Sequence, residues 1–273
     1  MTDALSIARN GLLDALEALE SHIDALVIVG AQAIYLHTGT TAIALAEYTT
    51  DGDVAVNPAL LSSEPLVEEA MQTAGFIRDP RSSAIGLWIS PRGAPIDLMV
   101  PESVAGAGRR AARVPPHDFK AMRQSRGIEA AIVDHSKMRV GSFDATADAR
   151  GFQVSVAGPT ALLVAKLHKI HDRLDTSSRL NNKDAHDIYR LLRTVDTDVF
   201  VDKSRQLLSA TVSAQVTREA LEHLDELFAR GPGARGSVMA GEAEELVGDP
   251  IAVAESVALL GQDLRDALAQ RGG

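Results

Sequence analysis

The strongest constraint on the fold is a change of pattern at Gly158-Pro159. Before that point, apolar runs of strand length alternate with amphipathic helical stripes, and after it every periodic segment repeats at helical spacing. In the first half the spacing predicts a helix over residues 3–21, with Leu5, Leu12, Leu16 and Leu19 on one face. A buried strand over 25–29 follows and turns at Gly30 into a helix carrying Ala33, Ile34 and Leu36. Strands are predicted over 51–56, 84–90 and 95–100, the last two joined by the turn signal Pro91-Arg92-Gly93, with a helix over 65–74 between the first and second. Residues 130–133, 137–140 and 153–156 read as further strands. Helices are predicted over 160–174, 183–195, 199–209, 217–229 and 251–270. The expected fold is therefore an α/β (α+β) N-terminal lobe with a mixed sheet, residues 1–157, followed by a mainly helical C-terminal lobe, residues 158–273.

Composition removes several kinds of chemistry. The chain has no Cys, so thiol catalysis, disulfides and thiolate metal sites are excluded. No apolar stretch approaches membrane-spanning length and no leader pattern is evident, so a soluble, cytoplasmic protein without a membrane partner is expected. The formal net charge of −10 argues against a surface that is basic all over. One local strip runs the other way: Arg109, Arg110, Arg113, Lys120, Arg123 and Arg126 are relieved only by Asp118. Such a run reads either as a solvated loop with a short helix or as an electrostatic track for a polyanion, a triphosphate or a nucleic-acid backbone.

Four patches carry candidate chemistry. Asp51 and Asp53 stand at i and i+2 on a predicted strand, so both carboxylates face the same way. Two hard oxygen donors beside substrate phosphates suit Mg²⁺ or Mn²⁺. Asp97, between Ile96 and Leu98, is a third candidate metal ligand or a general base, with an edge-strand acid facing water as the plain alternative. Gly30, Ala31 and Gln32 form a strand-to-helix junction whose glycine lets backbone approach a phosphate and whose helix N-terminus offers free N–H groups. Lys166 sits at the margin of the stripe Leu163, Leu167, Ile170 and Leu174, and Asp184 and Asp187 share one face of the next helix. These three can serve a buried anion or can simply form an interhelical salt bridge.

Taken together, Gly30-Ala31-Gln32-Ala33, Thr49-x-Asp51-x-Asp53, Lys166-Leu167-His168-Lys169 and the run from Lys183-Asp184 through Asp187 to Leu192 resemble the AbiEii nucleotidyltransferases. That group includes toxins of abortive-infection and toxin–antitoxin systems and the MenT-type toxins. The resemblance implies a nucleotidyltransferase-like N-terminal lobe and a Mg²⁺-dependent enzyme that transfers a nucleotide from a nucleoside triphosphate to an acceptor hydroxyl, releasing pyrophosphate. The implied acceptor is RNA, a tRNA 3′ end in the MenT-type members, so the polyanion on the basic strip would be tRNA or other RNA, and a cognate antitoxin is an implied partner. On this chain it places Gly30 and Ala31 under the triphosphate, Asp51 and Asp53 on the metal, Lys166 on the triphosphate, and Asp184 or Asp187 as the essential acid of the last motif. The chain departs from the family pattern at Ala31, where a side-chain hydroxyl on the phosphate is lost and only backbone donors remain, at Glu47, where an Arg is frequent, and at Gly52, which occupies an apolar position. Two alternatives remain at this level: a same-fold enzyme acting on a small molecule or a protein, and a nucleotide-binding module without transfer activity.

Overall fold

The computed structural model describes residues 4–39, 50–78, 84–108, 110–176 and 180–271. Glu47, Thr49 and Arg109, named above for the family motif and the basic strip, lie outside the described residues. The chain divides into two compact units: Met1–Ala33 with Tyr48–Ala157, and Ile34–Glu47 with Gly158–Gly273.

The first unit is built on a mixed sheet. After α1 (Ala4–Ala18) and a 3₁₀ turn (Glu20–Ala25), β1 (Leu26–Val29) consists of four apolar residues, all buried. A run that is apolar on both faces belongs at the centre of a sheet, and β1 lies between antiparallel β2 (Gly52–Val56) and parallel β8 (Gly151–Ala157). Between β1 and β2 comes α2 (Gly30–Thr38), whose first residues belong to this unit and whose remainder belongs to the second. Then follow α3 (Val67–Thr73), β3 (Ile77–Arg78), β4 (Leu87–Ile89), β5 (Pro95–Pro101), β6 (Arg123–Ser125), α4 (Ala130–Val133) and β7 (His135–Gly141). The strand order is β3-β4-β5-β2-β1-β8-β7, with β6 paired in parallel to the far end of β5. Leu12, Leu13 and Leu16 of α1 are fully buried, and α1 packs on β2 and β5. Trp88 of β4 is also fully buried, its indole N–H donating to the Ala121 carbonyl at 2.9 Å.

The second unit is helical: α5 (Pro159–His171), α6 (Asn182–Thr194), α7 (Thr197–Ser209), α8 (Ala214–Leu224), α9 (Arg235–Glu242) and α10 (Pro250–Arg271). Local chemistry sets the helix starts. Gly158 is extended and Pro159 takes the first position of α5, where a missing N–H costs nothing, while the Asn181 side chain accepts from the Lys183 N–H to open α6. Phe200, Leu207, Leu227, Phe228 and Met239 form its core. The C-terminal helix α10 packs on α6, α7 and α9 through Val253, Val257 and Leu264, and so covers the core of its own unit.

The mixed α/β architecture followed by helices is the fold that the pattern predicts. Three local expectations are corrected. Residues 130–133 form a helical turn, not a strand, closed by the Asp134 N–H on the Ala130 carbonyl; a four-residue apolar run has no periodicity to separate the two states. Residues 217–229 are not one regular helix, because α8 passes into a π-helical segment, Asp225–Ala229. Part of the basic strip, residues 123–125, is strand β6 rather than loop or helix. No helix among the described residues is long and apolar enough to cross a membrane.

Candidate functional site

Strand register gathers the acidic residues of the first unit. β1 runs toward Gly30, and β2 returns antiparallel beside it, so that Asp53 pairs with Val29 at the end where β1 turns into α2. β5 runs parallel to β2 with Asp97 opposite Asp53. In-register residues on neighbouring strands point to the same face. On the other face lie Gly52, Val54, Ile96 and Leu98, all buried, with a β-carbon at Gly52 falling against Leu12 of α1. One face is thus closed by α1, and the half-buried Asp53 and Asp97 stand on the other, with the half-buried Asp51 just ahead of β2.

Gly30 is the hinge of this edge. Its φ of +67° is in the left-handed region, and a β-carbon there would collide with the Asp53 carboxylate. Backbone and carboxylate approach each other as closely as they do only because Gly30 has no side chain. Ala31 and Gln32 are both buried. The Gln32 side-chain oxygen accepts from Arg9 Nε at 2.9 Å, while its amide nitrogen is buried without a partner. Gln32 is therefore directed into its unit's interior, where Arg9 also donates to the Gly141 carbonyl and has its pKa lowered to about 10 by burial.

Asp97 has a partner that sequence reasoning missed. Arg123 on β6 lies in register with Met99, two residues on from Asp97 and so on the same face. Its Nε donates to both Asp97 oxygens at 2.9 and 2.8 Å, and its Nη2 to Oδ2 at 2.6 Å. Burial alone would lower the Arg123 pKa, but Asp97 and, less strongly, Asp53 outweigh it and raise it. The one signal in sequence was the basic strip itself, in which nothing distinguished Arg123 from its neighbours. Arg110, Arg113, Lys120 and Arg126 are exposed, whereas Arg123 is half-buried.

The donor set fits a hard divalent cation only in part. Asp51 and Asp53 offer carboxylate oxygens, which suit Mg²⁺ completed by water and phosphates. Asp97 has both oxygens on Arg123 and would have to leave that pair to act as a ligand. Among the described residues, the one group of three metal-type side chains whose donor atoms lie within 4.8 Å of one another is elsewhere, at His171, His223 and Glu226.

In the second unit, Lys166 of α5 is brought together with Asp184 and Asp187 of α6. Its Nζ donates to Asp184 Oδ1 at 2.6 Å and to Asp187 Oδ2 at 2.7 Å, with side-chain exposures of 7, 6 and 0%. This is an interhelical salt bridge, one of the two arrangements the spacing allows. Burial alone would lower the Lys166 pKa, and the two carboxylates reverse that and raise it strongly. Asp184 is held well below the usual carboxylate range: burial opposes ionisation, but Lys166 and Lys169 together prevail. Asp187 Oδ1 is buried without a hydrogen-bond partner. Three residues on, Arg190 is wholly buried, donates from Nη2 to Thr38 Oγ1 and the Gly39 carbonyl, and stacks 5.2 Å from the centre of the Tyr35 ring.

No protein-family model matches the sequence, and neither does any curated protein. Among solved structures, the chain is similar to a proposed nucleotidyltransferase from H. pylori, at 8% identity and a TM-score of 0.37, over 99% of each chain. It is also similar to JHP933 from Helicobacter pylori, at 9% identity and a TM-score of 0.37, over 97% of this chain and 93% of that one.

Proposed function

We propose that the chain is a nucleotidyltransferase that uses Mg²⁺ or Mn²⁺ and a nucleoside triphosphate, with an RNA 3′ end as acceptor. The observation that carries this is the shared sheet edge: Gly30 in the left-handed region against Asp53, with Asp97 in register beside it. A glycine turn into a helix offers backbone donors to phosphate, and adjacent carboxylates offer oxygens to the cation that accompanies it. Asp51 and Asp53 would hold that cation, which when bound neutralises phosphate charge. In the reaction the acceptor oxygen bonds to the α-phosphorus, the bond from that phosphorus to the α–β bridging oxygen breaks, and pyrophosphate leaves with that oxygen. The acceptor proton passes to a base, for which Asp97 is the candidate once Arg123 exchanges its carboxylate for an acceptor phosphate. Lys166, Asp184 and Asp187 enter as functional residues through the sequence resemblance alone.

An anionic acceptor is favoured because Arg110, Arg113, Lys120 and Arg126, from the same basic strip as Arg123, are exposed; a cationic small molecule would be repelled by them. A toxin or phage-defence role with a neutralising partner protein follows from the same resemblance and would appear as growth arrest on expression. The alternative, nucleotide binding without transfer, is favoured by Arg123 occupying both oxygens of Asp97.

The test is incubation of the protein with each α-labelled nucleoside triphosphate, Mg²⁺ and total bacterial tRNA, alongside Asp53→Asn. Label in tRNA that disappears in the variant supports the assignment. Mg²⁺-dependent transfer that survives in Asp53→Asn sinks it, and nucleotide binding without pyrophosphate release in the parent protein selects the alternative.

A further inference from the structure

The second unit holds an imidazole cluster that the proposed transfer chemistry does not use. His171 ends α5, and His223 lies near the end of α8; their rings stack with centroids 3.7 Å apart and planes 13° from parallel. Glu226 follows His223 by three residues, which keeps both on one side of the continuing helix. Donor atoms of His171, His223 and Glu226 all lie within 4.8 Å of one another. His168, one turn before His171, meets His223 edge-on at 5.3 Å and is joined through Nε2 to the Val216 carbonyl of α8 at 2.8 Å. That bond ties α5 to α8 next to the cluster.

Two features separate this group from a chance surface cluster. Its donors come from two helices distant in sequence, α5 and the continuous stretch of α8 with its π-helical extension, rather than from one exposed run. Glu226 is also presented by a π-helical stretch, a rare distortion frequent at functional sites.

We propose that His171, His223 and Glu226 form a binding site for a divalent transition-metal ion of the zinc class, with water completing the coordination. Two imidazoles and one carboxylate suit Zn²⁺, Co²⁺ or Ni²⁺, whereas Mg²⁺ requires oxygen donors. Bonds to zinc of about 2.0–2.2 Å place neighbouring donor atoms roughly 3.3 Å apart, inside the 4.8 Å that encloses this set. Aiming both imidazole nitrogens at one ion requires the stacked rings to turn apart, and His171, at a helix end, and the exposed Glu226 are the side chains best placed to adjust. Bound metal then clasps the end of α5 to α8 and the segment after it. The expected consequence is stabilisation of the helical unit, independent of any transferase activity.

The experiment uses the full-length, tag-free protein, stripped with chelator and then freed of it, titrated with Co²⁺ and with Zn²⁺ alone. One equivalent should bind with micromolar or tighter affinity, Co²⁺ should give visible absorption displaced by Zn²⁺, and saturating Zn²⁺ should raise the melting temperature by roughly 5 °C or more. His171→Gln and His223→Gln should each weaken binding at least about 100-fold, and Glu226→Gln about 10- to 100-fold, by analogy with lost metal contacts. His135→Gln, an exposed histidine on β7, should leave binding unchanged. Since His171 and His223 are both partly buried, far-UV circular dichroism without metal checks their variants, while Glu226 is exposed. Absence of saturable one-equivalent binding, or affinity unaltered in folded His171→Gln and Glu226→Gln, overturns the assignment.

Discussion

Single residues set the candidate site through what they lack as much as through what they carry. Gly30 is required twice, by its positive φ and by the Asp53 carboxylate where a β-carbon would go. Gly30→Ala is expected to cost about 1–2 kcal/mol for the left-handed backbone and to displace Asp53 as well. A shift of that kind should lower nucleotide transfer by about 100-fold, measured with the labelled-tRNA assay, while the protein still melts cooperatively. Lys166 is the opposite case, a charge that burial makes indispensable. Lys166→Ala leaves the carboxylates of Asp184 and Asp187 buried without their main partner, and should reduce stability by about 3–5 kcal/mol in urea unfolding. A loss below about 1 kcal/mol would mean that water reaches the pair. Asp53, Asp97 and Lys166 were legible in sequence because a charge inside an apolar run stands out. Arg123 and Arg190 were not, because one lies in a run of like residues and the other in a helix whose buried side only packing reveals.

Elements show where periodicity is informative and where it fails. β1, β5 and α5 were readable from their apolar pattern, since four to thirteen residues of consistent burial leave few alternatives. Two-residue β3 and three-residue β6 exist because β4 and β5 offer them an edge, and no local pattern marks them. Links between elements also fix the response to acid. Arg150 joins Asp148, ahead of β8, to Asp14 and Glu17 of α1, and its hydrogen bonds lower the Asp148 pKa to about 2. Asp184 is lowered likewise in the helical unit. A carboxylate whose folded pKa is depressed contributes stability that is present above its unfolded value near 4 and is lost as pH falls toward the folded value. Melting temperature should therefore vary little between pH 7 and 5 from these groups and fall from about pH 4 toward pH 2. Asp148→Asn should flatten part of that fall, and an unchanged acid profile in that variant would remove Asp148 from the account.

For the whole molecule, charge distribution matters more than total charge. The chain is acidic, with a net charge of −10, yet Arg110, Arg113, Lys120 and Arg126 of its basic strip are exposed on the sheet unit. If single-stranded RNA is held there, four phosphate contacts predict that log K falls with log salt at a slope of roughly −3. Arg113→Gln should weaken binding across all sequences and reduce that slope by about 1 in filter-binding titrations. A slope unaltered by that change would place RNA elsewhere. The sequence by itself determined the class of the two halves, the absence of thiol chemistry and the acids that stand against the apolar pattern. Each of these follows from local composition or from a period of two or 3.6 residues. Tertiary structure alone decided that Asp53 faces Gly30 and pairs with Asp97, that Arg123 claims both oxygens of Asp97, and that His171 meets His223 and Glu226 of a helix distant in sequence. Those facts depend on strand register and helix packing, which arise from contacts between distant segments and leave no mark in the local pattern.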